Sequence, residues 1–205
     1  MHIPDGLLDG KTLAATAAAS AAGLSWALKR VRSSFQDKHV PLLGVTAAFI
    51  FAAQMINFPV WGGTSGHLVG GVLAAVVLGP ASAVIVMTTV LVVQALLFGD
   101  GGVLALGANV LNMGILAPLV GYWAYRLLGR GRAALFLAAW ASIMVSALAA
   151  SVQLAWSGLI GLQVVLPPML AWHALIGVGE GVITLAVVRY LESTRLDLPG
   201  EVRSQ

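Results

Sequence analysis

A histidine directly behind a free amino group is a chelator before any fold is considered. In Met1-His2-Ile3-Pro4-Asp5-Gly6, the terminal amine, the amide nitrogen of His2 and its imidazole Nδ1 can close adjacent five- and six-membered rings around one late transition metal. A second imidazole, His67, lies in Gly62-Gly63-Thr64-Ser65-Gly66-His67-Leu68-Val69-Gly70-Gly71, whose glycines permit positive φ and close backbone approach. Amine, amide and two imidazoles would make a planar set of four nitrogens, which suits Ni(II) or Cu(II) and is tolerable for Co(II). Zn(II), which prefers a tetrahedron, would fit poorly. On spacing alone, a mobile terminal residue and a helix-start histidine account for the pair better than a metal site does.

What must position these groups is almost wholly apolar. About a quarter of the residues in a soluble domain are charged, whereas here 9% are charged, 59% are hydrophobic and the mean hydropathy is +0.93 over 205 residues. The composition is that of an all-α, polytopic protein of the plasma (inner) membrane, read as a single integral-membrane domain over residues 1–205. A formal charge of +3 requires no nucleic-acid partner, since cytoplasmic membrane loops supply such an excess. Cysteine is absent, which excludes disulfides and thiolate chemistry.

Apolar segments fall at about 12–28, 41–58, 67–79, 81–98, 103–127, 133–156 and 168–191, against roughly 20 residues per crossing. Seven spans with the amino terminus outside put Lys29, Arg30, Arg32, Lys38, Arg126, Arg130, Arg132, Arg189, Arg195 and Arg203 on the cytoplasmic side with the carboxyl terminus, leaving only Lys11 outside. Six spans would place one cationic cluster on the wrong face. Ahead of the first span, Asp5 and Asp9 against a lone Lys11 make a poor signal-peptide start. The span is expected to be retained, with Met1 kept because His2 is too large for methionine trimming.

This orientation gathers residues 1–11, the loop Pro59 to His67, the turn Gly99 to Gly102 and the stretch Ser157 to Pro168 outside. Gln54, Asn57, Gln94, Asn109, Asn112 and His173 then cluster at one depth near the outer surface. Polar groups in spans either line a site or bond between helices; their shared depth favours a site. With Thr64 and Ser65, they are the candidates to surround a metal.

Other features carry less. Ala14, Ala18 and Ala22 recur every four residues and form a flat face, read first as helix packing. His173 and Glu180, seven apart, share a helix face and read as a satisfied polar pair. Gly10-Lys11-Thr12 lacks the earlier glycine of a phosphate-binding loop, Asp5 standing in its place. Gly63-Thr64-Ser65-Gly66 admits an intramembrane serine hydrolase built on Ser65, but a nucleophile needs a base within reach, and His67 is only two residues on.

Three long motifs change this balance. The start Met1 to Gly6, the run Phe51-Ala52-Ala53-Gln54-Met55-Ile56-Asn57-Phe58-Pro59-Val60 followed by Gly63 to His67, and Gln94-Ala95-Leu96-Leu97-Phe98-Gly99-Asp100-Gly101-Gly102 with Ala105 to Asn109 together resemble the CbiM/NikM family. These are the substrate-capturing S components of cobalt and nickel energy-coupling-factor transporters. The resemblance implies seven helices and a transported Co2+ or Ni2+ held by the Met1 amine, the amide and ring nitrogens of His2 and a ring nitrogen of His67. It also implies a transmembrane T component docked on the Ala14, Ala18, Ala22 face, separate ATP-binding A components and a small auxiliary protein of the CbiN/NikN type. The chain itself is then expected to be no enzyme and to carry no catalytic cofactor. The readings left beside it are the Ser65 hydrolase and an ATP-independent permease.

Overall fold

A computed structural model describes residues 1–34, 39–56, 58–60, 64–194 and 199. Its helices form seven rods among the described residues: α1 Gly10–Ser34, α2 Val40–Met55, α3 Gly71–Leu78, α4 Pro80–Phe98, α5 Leu106–Leu127, α6 Arg132–Trp156 and α7 Leu162–Ser193. The last four are long and apolar enough to cross a membrane, and α2 is a shorter apolar helix. Between α2 and α3 runs an antiparallel ladder of β1 Phe58–Val60 with β2 Thr64–Gly66, pairing Phe58 with Gly66 and Val60 with Thr64. Helical periodicity gave no sign of it.

Several spans differ by three residues or more from their expected bounds; the first runs on to Ser34 instead of ending near residue 28. The second ends at Met55, before the ladder takes over at Phe58. The third is a half-helix: residues 67–70 are extended and only Gly71–Leu78 are helical, rising about 12 Å. Gly70 at φ +78 and Gly79 at φ +84 bound it, a backbone region that L side chains seldom occupy. All eight of its residues are buried, so this short rod is a central strut. The seventh begins at Leu162, with Pro167 and Pro168 inside the helix instead of in an outer loop; in its second turn each proline gives up one intrahelical bond.

Helix α1 opens with Asp9, whose Oδ1 accepts the Thr12 N–H at 2.9 Å, an N-cap that satisfies a donor the first turn cannot. Its inner face is Thr12, Thr16, Ser20 and Ala27, all buried; Ala14, Ala18 and Ala22 face outward and are exposed. The contact with α5 is made by backbone: the Ser20 hydroxyl donates to Gly107 O at 2.6 Å, and a Cβ on Gly107 would lie 2.6 Å from Ala17 Cα. Gly107→Ala must therefore push α1 off α5. It is expected to destabilise the protein by about 1–3 kcal/mol, checked by unfolding in detergent against Gly44→Ala, where nothing lies within 4 Å.

On α7 the buried residues Val165, Met169, His173, Gly177, Glu180, Gly181, Thr184 and Val188 recur at three to four and form one stripe. It packs on α6, where the Trp140 indole donates to Ala174 O at 3.0 Å. This fixes the side of α7 that faces α3 and residues 67–70.

Candidate metal centre

The nine residues ahead of α1 fold back into the bundle. Met1, Ile3 and Leu8 are buried at 5%, 4% and 8% exposure, so three apolar side chains anchor the segment in the core. Polar contacts then fix its register. The Asn109 side chain accepts the Ile3 N–H at 2.8 Å and donates to Ile3 O at 3.0 Å, and Gly102 N–H donates to the same carbonyl at 2.9 Å. Asp5 accepts from the Val103 and Ala105 N–H groups, each at 3.0 Å, tying the segment to the turn before α5.

That register brings the chain start to His67. The Met1 nitrogen lies 3.0 Å from His67 Nε2. Two nitrogens bound at right angles to one ion at about 2.0–2.1 Å would be about 2.9 Å apart, so the pair already has the spacing of adjacent ligands. His67 Nδ1–H donates to Leu68 O at 2.7 Å, which leaves the Nε2 lone pair directed at the amine. The imidazoles of His2 and His67 stack with centroids 4.7 Å apart and planes 28° off parallel.

His2 is held at its other edge. Its Nε2–H donates to Gln94 Oε1 at 3.2 Å, so Nδ1 carries the lone pair. That Nδ1 is buried without a hydrogen bond, 3.4 Å from Asp100 Oδ1. A buried acceptor facing a partly exposed carboxylate is unfavourable for the unsatisfied Nδ1; a cation beside it would satisfy both groups. Among the described residues no three His, Cys, Asp or Glu side chains group as a metal cluster, and the donors gathered here come half from the main chain.

Burial sets the protonation of the amine. Desolvation lowers the Met1 amine from 8.0 to about 5 despite the pull of Asp100, and desolvation with the neighbouring amine lowers His2 as well. Both groups are therefore neutral donors at pH 7. The unfolded chain takes up these protons first, so stability of the metal-free protein should fall as the pH drops from about 8 towards 5, and level off once the folded amine is protonated too. Unfolding midpoints measured across that window check it; a flat profile would contradict a buried amine.

The segment carrying His67 is braced from α7 and α2. Glu180, 1% exposed, accepts the Val69 and Gly70 N–H groups at 2.8 and 2.7 Å, and Gln54 donates to Val69 O at 2.7 Å. Glu180 therefore does not pair with His173, whose Nδ1–H donates to Met169 O at 2.7 Å while its buried Nε2 has no hydrogen bond. An apolar groove of about 280 Å³, lined by Trp172, Leu175 and Ile176 of α7, reaches His67.

The remaining candidates divide. Gln94 and Asn109 touch the amino-terminal segment, and Gln54 supports the His67 segment through Val69 O. Asn112 turns away to α6, where its amide and that of Gln153 bond reciprocally at 2.8 and 2.7 Å; it is a helix-packing residue. Thr64 and Ser65 lie on β2, Ser65 opposite Pro59, and Asn57 lies outside the described residues. Glu180 as a backbone clamp and Asp5 as a tie to the α5 turn were not anticipated, because a carboxylate that serves main-chain N–H groups has no sequence partner.

Comparison with known proteins agrees with this architecture. The family described as "Cobalt uptake substrate-specific transmembrane region", CbiM, matches residues 2–198. A protein of Archaeoglobus fulgidus provisionally named as a fused nickel transport protein NikMN is 46% identical over 97% of this chain and 68% of its own length. The cobalt transport protein CbiM of Desulforamulus reducens is 35% identical over 75% of this chain and 63% of its own. A solved structure described as a truncated transition metal transporter superposes with a TM-score of 0.90 at 40% identity, covering 95% of this chain and 99% of that one. With matching sequence motifs, helices suited to a bilayer and a family profile spanning nearly its whole length, the chain belongs to the CbiM family of cobalt and nickel transport membrane proteins.

Proposed function

We propose that this chain is the substrate-capturing S component of an energy-coupling-factor importer, and that it grips one divalent nickel or cobalt ion through the Met1 amine, the His2 amide nitrogen and Nδ1, and His67 Nε2. The observation that carries the reading is the 3.0 Å approach of the Met1 nitrogen to His67 Nε2, beside a His2 Nδ1 that is buried without a hydrogen bond. Gln94 and Asn109 hold the chelating segment, and Gln54 and Glu180 hold the His67 segment. His173, with a buried free Nε2, stays a member of the surrounding shell.

The chain crosses the membrane seven times in this reading, amino terminus outside and carboxyl terminus in the cytoplasm, with α3 and the extended residues before it together filling the third crossing. The exposed Ala14, Ala18 and Ala22 face of α1 receives the T component, and separate A components hydrolyse ATP. A relative named as a fused NikMN protein supports a small auxiliary protein of the CbiN/NikN type. Catalysis by Ser65 is disfavoured because both ring nitrogens of His67 are engaged, with Met1 and with Leu68 O, so the nearest base is occupied.

The test is metal analysis of the purified protein with its native start. One Ni(II) per chain in a planar four-nitrogen field is low-spin and diamagnetic, and Co(II) there is low-spin with one unpaired electron. Cu(II) should compete with nickel and Zn(II) should displace neither. A high-spin nickel signal would overturn the planar site. Uptake that persists in cells lacking the partner ATPases would replace the importer with a passive permease.

A further inference from the structure

Away from the metal centre, the ends of α5, α6 and α7 border an open cleft of about 390 Å³ lined in part by Arg130, Arg132, Arg189 and one carboxylate, Glu192. We propose that this cleft binds a phosphate group, presented by the headgroup of an anionic phospholipid.

Two of its arginines sit where local preference opposes them. Arg130 is the one non-glycine residue with positive φ among the described residues, at +60, a conformation that costs an L side chain. A glycine would adopt it freely, and Gly131 follows immediately. Tyr125 instead holds Arg130 from both sides: its carbonyl accepts the Arg130 N–H at 3.0 Å, and its hydroxyl donates to Arg130 O at 2.8 Å. Arg132 occupies the first position of α6, the end at which the helix dipole disfavours a cation. Arg189 completes the group from α7. Local rules broken at one place are a mark of function, and three guanidinium groups around one carboxylate give the cleft a net positive charge that suits an anion.

Phosphate matches the geometry, because guanidinium groups present paired N–H donors to its oxygens. Among the lining residues, Leu135 and Val188 are apolar and buried at 3% and 2% exposure. Close in sequence to the lining residues, Leu127, Leu128 and Tyr190 are exposed at 85%, 55% and 69%, on helices that belong in a bilayer. Acyl chains attached to the phosphate would cover them, which selects a lipid over a free ion. Basic pockets between membrane helices recognise anionic headgroups in this way.

The experiment compares thermal unfolding and native mass spectra of the detergent-purified full chain with added phosphatidylglycerol, phosphatidylcholine of the same acyl chains, or inorganic phosphate. Phosphatidylglycerol should raise the unfolding midpoint and remain bound, and the other two should not. Arg130→Gly and Arg189→Gln should each weaken its retention at least tenfold; Arg130→Gly relieves the backbone strain, so its loss of lipid cannot be ascribed to misfolding. Unchanged nickel affinity in both variants serves as the control for an intact fold. Equal effects of the two lipids, or full retention by both variants, would overturn the site. Full stabilisation by inorganic phosphate without lipid preference would overturn the lipid as its source.

Discussion

Placing one extra residue ahead of Met1 should abolish nickel and cobalt binding. The added peptide bond turns the basic terminal amine into an amide, which can donate only after losing a proton, and moves the free amine one residue away from the ring it closes with the His2 amide and from His67. There is no space to compensate: Met1 is 5% exposed and its nitrogen is 3.0 Å from His67 Nε2, so the extension must also pull the segment out of the core. Partners outside the ligand shell are worth roughly 10–100-fold in metal affinity, so loss of a ligand with its ring should exceed about 1000-fold. His2→Ala and His67→Ala should fall in the same range. Competition titrations against a chelating dye, with a carboxyl-terminal tag and with an amino-terminal fusion before and after cleavage to the native Met1, measure it. An uncleaved fusion that binds nickel like the cleaved protein would remove the terminal amine from the site.

How far the fold could be read from residues depended on whether the signal was local. The clustering of Lys29 to Lys38 and Arg126 to Arg132 marks chain ends of apolar runs, and the helices end close to those clusters, α1 at Ser34 and α5 at Leu127. The half-helix was not legible in its true form. Residues 67–79 are uniformly apolar or glycine apart from His67, and periodicity cannot separate four extended residues from a helical turn when every side is buried. The ladder of β1 and β2 falls in segments only three residues long, too short for alternation to show. At the site, Met1, His2 and His67 were legible because chelation by a chain start depends on neighbours in sequence. Gln54 and Glu180 act on main-chain groups of Val69 and Gly70, and nothing in a residue's type announces a backbone partner.

Asn109 and Asn112 make the sharper case, and with it the second large effect. Three apart on α5, they read alike in sequence, yet a π-helical stretch from Val110 to Leu116 begins between them, and its wider turns alter the direction of the second side chain. Asn109 clamps both polar groups of Ile3, and Asn112 pairs with Gln153. Asn109→Leu keeps the approximate volume but leaves the buried Ile3 N–H without its acceptor; the Ile3 carbonyl retains only Gly102. The chelating segment then loses its register, and nickel affinity should fall about 10–100-fold, with a stability loss of about 1–3 kcal/mol for the unsatisfied group. Asn112→Leu orphans Gln153 in the same manner and should cost a similar stability. Its nickel affinity, measured on the folded fraction, should stay within about twofold of the unsubstituted protein, because additivity holds for sites that share no partner. Two titrations and two unfolding curves decide the matter. If Asn112→Leu loses the metal and Asn109→Leu keeps it, the amino-terminal segment is not what positions the donors.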